Sequence, residues 1–186
     1  MTPSQREAER LRADLDQLEQ RTDTTAEQVR ARFRRQVEAL DNDLAPLARK
    51  PRSDEFQVQA KAEMARAREE YDSGLAELAR RARTSAFGSA PAASDGASII
   101  AFRDAQDRAE RLEHREEAEA AMRRALEADD RMMVTAIARK AHARGWAEVA
   151  TLGVDVELVQ QVSRLEQLSS PQGRRRDQRR LFRWSV

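Results

Sequence analysis

RKPRSDEF, residues 49–56, decides how this chain is read. Pro51 lacks the amide hydrogen a helix interior needs, and Pro46 just before it predicts a kink or an end. Ser53 reads as the N-cap of a new helix, with Asp54 and Glu55 in a first turn that favours carboxylates. On its N-terminal side Leu11, Leu15, Leu18, Val29, Phe33, Val37, Leu40, Leu44 and Leu47 recur in steps of three and four, apart from the stretch around Thr22, Thr25 and Ala26, where the seam weakens. On its C-terminal side Phe56, Ala60, Met64, Ala67, Tyr71, Leu75, Leu78 and Ala82 keep the same spacing. Such spacing lines one face of a helix. Two long amphipathic helices with a short connection predict an antiparallel, coiled-coil-like hairpin over residues 1–83.

Composition agrees with thin helical packing. Of the 186 residues, 36% are charged and only 4% aromatic, which argues against one large globular core. The net charge is +1, so no global field draws the chain to nucleic acid or to a membrane. No cysteine is present, which excludes disulfides and thiolate metal sites. No apolar run reaches the roughly 18 residues of a membrane span, and MTPSQREAER is not a signal peptide, so a soluble protein made in the cytoplasm is expected, with no membrane partner.

The hairpin's charges balance, ten basic against ten acidic over 1–50 and seven against seven over 51–83. They read as a solvated surface with local pairs. TSAFGSAPAASDGAS, residues 84–98, has no periodicity and reads as a flexible linker, with Phe87 as a stray aromatic within it. From 99 to 169 a smaller helical unit is predicted. Its first helix starts near Ile99, capped by Ser94, Asp95 or Ser98. Its apolar face fades through EHREEAE (113–119), and Asp129 or Asp130 caps the next helix.

AIARKAHARGWAEVA (136–150) forms a helical corner in this reading. Gly145 takes the left-handed C-cap position, Ile137 and Val149 pack from the two helices, and Trp146 covers their shared core. A ligand site around Trp146 and His142 is the alternative. Val154, Leu158, Val162, Leu165 and Leu168 mark a last amphipathic helix. The remainder, 170–186, carries six Arg against one Asp and is interrupted by Pro and Gly. It reads as a basic disordered tail in which Arg174, Arg175, Arg176, Arg179, Arg180 and Arg183 could hold a polyanion and Phe182 or Trp184 could stack on bases. A fold-back onto the acidic stretch 98–170, eleven basic to fourteen acidic, is the competing use.

Catalytic chemistry is not legible. His114 and His142 stand on different helices without acidic partners at ligand spacing, and no phosphate-binding glycine loop follows a strand. The expectation is an all-α non-enzyme without a cofactor. ALEADD followed by Ala136, Ala138, Arg139, Ala141, Gly145, Trp146 and Val149 resembles a segment of small helical proteins of actinobacterial phages and prophages, found among virion structural genes. The resemblance implies a role in virion assembly or structure, other virion proteins as partners, and no catalytic residues. The alternative function is accessory nucleic-acid binding through the arginine tail. A lone helix pair buries only a thin strip, and Ala62, Ala65, Ala76 and Ala79 offer a second one, so self-association through the hairpin is also expected.

Overall fold

A computed structural model describes residues 2–43, 45–89 and 95–182; within these the side chains of 41–43, 46, 47, 178 and 179 are not described. Helices are α1 (Pro3–Asp43), α2 (Pro46–Phe87), α3 (Gly96–Glu110), α4 (Arg115–Glu127), α5 (Arg131–Ala143), α6 (Ala147–Gly153), α7 (Val156–Ser169) and α8 (Pro171–Leu181). The described residues contain no strand, and the fold is all-α with a long antiparallel hairpin.

The hairpin turns earlier than RKPRSDEF suggested. α1 ends at Asp43 and Pro46 is the first residue of α2, where a missing amide hydrogen costs nothing because first-turn amides have no intrahelical acceptor. Pro51 and Ser53 therefore lie inside α2 rather than at a stop and a cap. Near the helix start Pro51 forfeits one ladder bond without ending the helix. Leu44 and the side chain of Leu47 lie outside the described residues. α1 opens with a reciprocal capping box: Gln5 N–H donates to Thr2 Oγ1 at 3.1 Å and Thr2 N–H donates to Gln5 Oε1 at 2.8 Å.

The chain divides into two compact units, Met1–Arg12 with Ala79–Leu165 and Ala13–Leu78 with Glu166–Val186. This replaces the expected division at a linker, because the boundaries fall inside α1, α2 and α7. α2 continues through Phe87, and α3 begins at Gly96 with Asp95 as its N-cap, accepting from Ser98 N–H at 3.1 Å. That hydrogen bonding with Ser98 holds the Asp95 carboxyl below its usual range. Residues 90–94 of the expected linker lie outside the described residues.

In the first unit α5 is central, packed against α3, α4 and α6. Ile137, Ala138 and Ala141 are fully buried there. Alanine at these positions lets backbones approach closely, so each small side chain still gives up all its exposed area. Phe87 is no stray aromatic: it is 3% exposed and its ring lies 5.2 Å from that of His142. Arg139 donates to the carbonyls of Phe87 and Gly88 at 3.1 and 3.2 Å, satisfying acceptors that the end of α2 leaves open. Of the faded stretch 113–119, Glu113 and His114 lie in a break, Arg111–His114, between α3 and α4, and the rest opens α4.

Two Schellman caps bracket α5 in sequence. After α4, Asp129 N–H meets Leu126 O and Asp130 N–H meets Ala125 O. After α5, Gly145 N–H meets His142 O and Trp146 N–H meets Ala141 O. Both motifs need a left-handed residue, Gly145 at φ 75° and Asp129 at φ 50°. Asp130 then caps α5 by accepting from Met133 N–H at 3.0 Å. Gly153 ends α6 where a Cβ would stand 2.6 Å from a Val134 methyl and 3.0 Å from Met122 sulfur.

In the corner over 136–150 Gly145 has the left-handed backbone, and Ile137 and Val149 are more deeply buried than Trp146. Trp146 is half-buried as the N-cap of α6, and the Arg144 guanidinium lies 6.0 Å from its ring centre, whereas Ile137 and Val149 are 0% and 1% exposed. Ile137→Ala should therefore destabilise by about 2–5 kcal/mol and by more than Trp146→Ala, measured by denaturant unfolding. The reverse order would place the core under the indole. Asp129→Gly should raise stability by roughly 0.5–1 kcal/mol, because glycine adopts φ > 0 without Cβ strain.

Candidate functional site

The arginine-rich segment is a helix, not a disordered tail. Ser170 is its N-cap, accepting from Gly173 N–H at 3.0 Å, and Pro171 occupies the first helical position. Gly173 is needed for the close turn out of α7, since a Cβ would lie 2.1 Å from Gln167 O and 2.7 Å from Leu168 O.

Within the second unit α8 supplies buried groups from one side. Leu181 is 1% exposed, and Phe182 and Asp177 are each 6%. A carboxyl group this deep needs donors. Tyr71 O–H donates to Asp177 Oδ2 at 3.0 Å, and Arg180 Nε stands 3.8 Å from Oδ1. Arg180 also reaches Glu19 on α1 at 3.1 Å. Arg30 donates to Leu181 O at 3.1 Å, capping the end of α8. Phe182 sits under the Arg68 guanidinium, 5.3 Å from its ring centre, and lines an open pocket of about 290 Å³ with Lys61, Met64 and Ala65. Of the expected second alanine strip, Ala62, Ala65 and Ala76 are exposed, Ala65 lining the same pocket as Phe182, and Ala79 is buried.

Charge explains the attraction. The α1 and α2 stretches of this unit, 13–43 and 46–78, hold fifteen acidic and eleven basic residues, a net −4. α8 holds five Arg and one Asp, a net +4. The fold-back expected onto 98–170 is therefore made onto the hairpin.

The other side of the hairpin is open. Leu18, Arg21, Thr22, Thr25, Arg66, Ala67, Glu69, Glu70, Tyr71 and Ser73 line a groove of about 590 Å³. It coincides with the weak stretch of the seam. Thr22 and Thr25 turn their hydroxyls back to Leu18 O and Arg21 O at 2.8 and 2.9 Å, and Gly74 opposes Leu18 so closely that a Cβ would be 2.9 Å from its methyls. Arg21, Arg66, Glu69 and Glu70 are exposed and form no ion pair among the described residues. One helical turn away, by contrast, Arg32 pairs with Glu63 across the hairpin.

The sequence-predicted arginines separate into two sets. Arg174, Arg175 and Arg176 are exposed and have no ion-pair partner among the described residues, whereas Arg180 is paired. The Arg179 side chain, Arg183 and Trp184 lie outside the described residues. Phe182, expected to stack on bases, is buried. Spacing places Tyr71 on the seam of α2 but gives it no polar partner, and it does not single out Asp177, Glu19 or Arg30. His114 is exposed at the start of α4 while His142 packs on Phe87, and among the described residues no three His, Asp or Glu side chains are placed to hold a metal ion. No described helix is long and apolar enough to cross a membrane. No family model, curated protein or solved structure matches the chain.

Burial first, then the Asp177 charge, its hydrogen bond and the more distant Glu19, push the Tyr71 hydroxyl well above its usual value near 10, with Arg180 opposing. The unfolded chain releases this proton near pH 10 while the folded chain retains it. The stabilisation is therefore complete below pH 10 and is lost as pH rises beyond it. Tyr71 is the sole tyrosine, so ultraviolet titration of the native protein should show phenolate forming only above the ordinary range. Tyr71→Phe should cost about 1–3 kcal/mol by leaving the buried Asp177 short of a donor. A free-tyrosine titration and an unchanged unfolding midpoint would show that α8 does not rest on this contact.

Proposed function

We propose that the chain is a non-enzymatic structural or assembly protein that works through helix–helix contacts, beginning with a second copy of itself. The groove between α1 and α2 carries this reading. It leaves two arginines and two glutamates exposed without ion-pair partners among the described residues, along a floor that includes Leu18 and Ala67. A helix from another copy would supply both apolar cover and countercharges, and would complete a bundle whose third helix, α8, the chain already provides. Interfaces between identical chains are commonly two-fold, so each groove can answer the other with the same residues. The phage-particle setting is supported by the resemblance of residues 136–149, and other virion proteins are then the partners beyond self-association.

Sedimentation equilibrium of the full chain should give a mass above the monomer at high micromolar concentration. Glu69→Lys with Glu70→Lys should shift it toward monomer by roughly tenfold or more in dissociation constant, with helicity unchanged because both residues are exposed. A wild-type chain that stays monomeric would overturn self-association. A dimer indifferent to the double variant would place the contact elsewhere.

A further inference from the structure

The outward side of α8 is the most strongly charged feature for which the hairpin supplies no explanation. Asp177 points inward. At about 100° per residue, Arg175 lies about 160° away from it, Arg176 about 100° to one side and Arg174 about 60° to the other. All three are exposed and lack ion-pair partners among the described residues. Their placement works against the helix. Three adjacent like charges repel, and they occupy its N-terminal half, toward the positive end of the helix dipole, with no acidic residue in the first turn. Arg180, by contrast, is neutralised by Glu19 and Asp177. Local rules broken without internal compensation are expected where a surface serves a ligand.

We propose that the outer face of α8 docks on duplex nucleic acid, with Arg174, Arg175 and Arg176 contacting backbone phosphates. A helix with one outward and two flanking guanidiniums fits a groove about 12 Å wide, its flanks meeting the phosphates of the two strands. The guanidinium fork suits phosphate oxygens, and the folded seat of α8 fixes the three in advance. Binding of this kind is independent of sequence and falls steeply with salt. The inference is separate from the self-association reading and uses residues of α8, none of which lines the groove.

The test uses the full chain and a fluorescent 20-base-pair duplex, with anisotropy measured between 50 and 200 mM salt. Arg174→Gln, Arg175→Gln and Arg176→Gln together should weaken binding at 50 mM salt at least tenfold. They should also reduce the slope of log affinity against log salt by about 2.7, the value for three phosphates. Circular dichroism should be unchanged, because Tyr71, Asp177, Arg180 and Leu181, which seat α8, are untouched. A control triple at exposed positions elsewhere, Arg103→Gln, Arg111→Gln and Arg124→Gln, removes the same charge and should leave affinity within twofold. Absence of duplex binding at 50 mM salt, equal losses in both triples, or equally tight binding to polyglutamate or a single strand would each overturn the proposal.

Discussion

The hydrogen bond from Tyr71 to Asp177 fixes the second unit. Asp177 is the sole acidic residue in an arginine-rich helix, and it is the residue that turns inward. Net charge draws α8 to the hairpin but sets no register, because many arrangements of five guanidiniums over an acidic surface have similar energy. A buried carboxyl does set one, since it is tolerated only where donors wait for it. Tyr71 is the donor and Arg180 a countercharge 3.8 Å away, Glu19 holds Arg180, and Phe182 then falls beside Met64 and Arg68 of α2.

The first unit is built on a different rule. Its core is rich in alanine, with Ala118, Ala136, Ala138, Ala141 and Ala150 buried beside Met122, Ile137 and Val149. Small side chains bury little area each, so short helices must approach closely and stop where the geometry demands. The caps at Asp129, Asp130 and Gly145 set those stops. Arg139 ties the end of α2 to the same helix that carries Ile137.

Much of this fold can be read from periodicity alone. Leu11, Leu15, Val29, Met64, Tyr71 and Leu75 recur at three and four and are buried. Asp95, Asp130 and Gly145 announce helix ends by their chemistry, which is local. The prolines misled, because Pro46 and Pro51 are tolerated near a helix start and the sequence does not say which turn is first. The tail misled for another reason. Its charge resembled that of a disordered segment, although Ser170 followed by Pro171 is an N-cap signal, and Asp177 with Leu181 stands one turn apart. What no local pattern contains is the partner. Asp177 meets a tyrosine 106 residues earlier, and Leu181 O meets an arginine 151 residues earlier. The groove was visible only as a weakening of the seam at Thr22 and Thr25. The arginines were visible, but their sorting into paired and unpaired was not.

That separation along the chain sets an order of events during synthesis. Tyr71 leaves the ribosome 106 residues before Asp177, so at roughly 5–20 residues per second the hairpin waits about 5–20 s for its third helix. Through that interval Tyr71 lacks Asp177 and the net negative charge of the hairpin is uncompensated. A nascent hairpin is then open to a neighbour's finished α8 as readily as to its own. Polysomes, where copies emerge side by side, are where exchange of this helix between chains would begin.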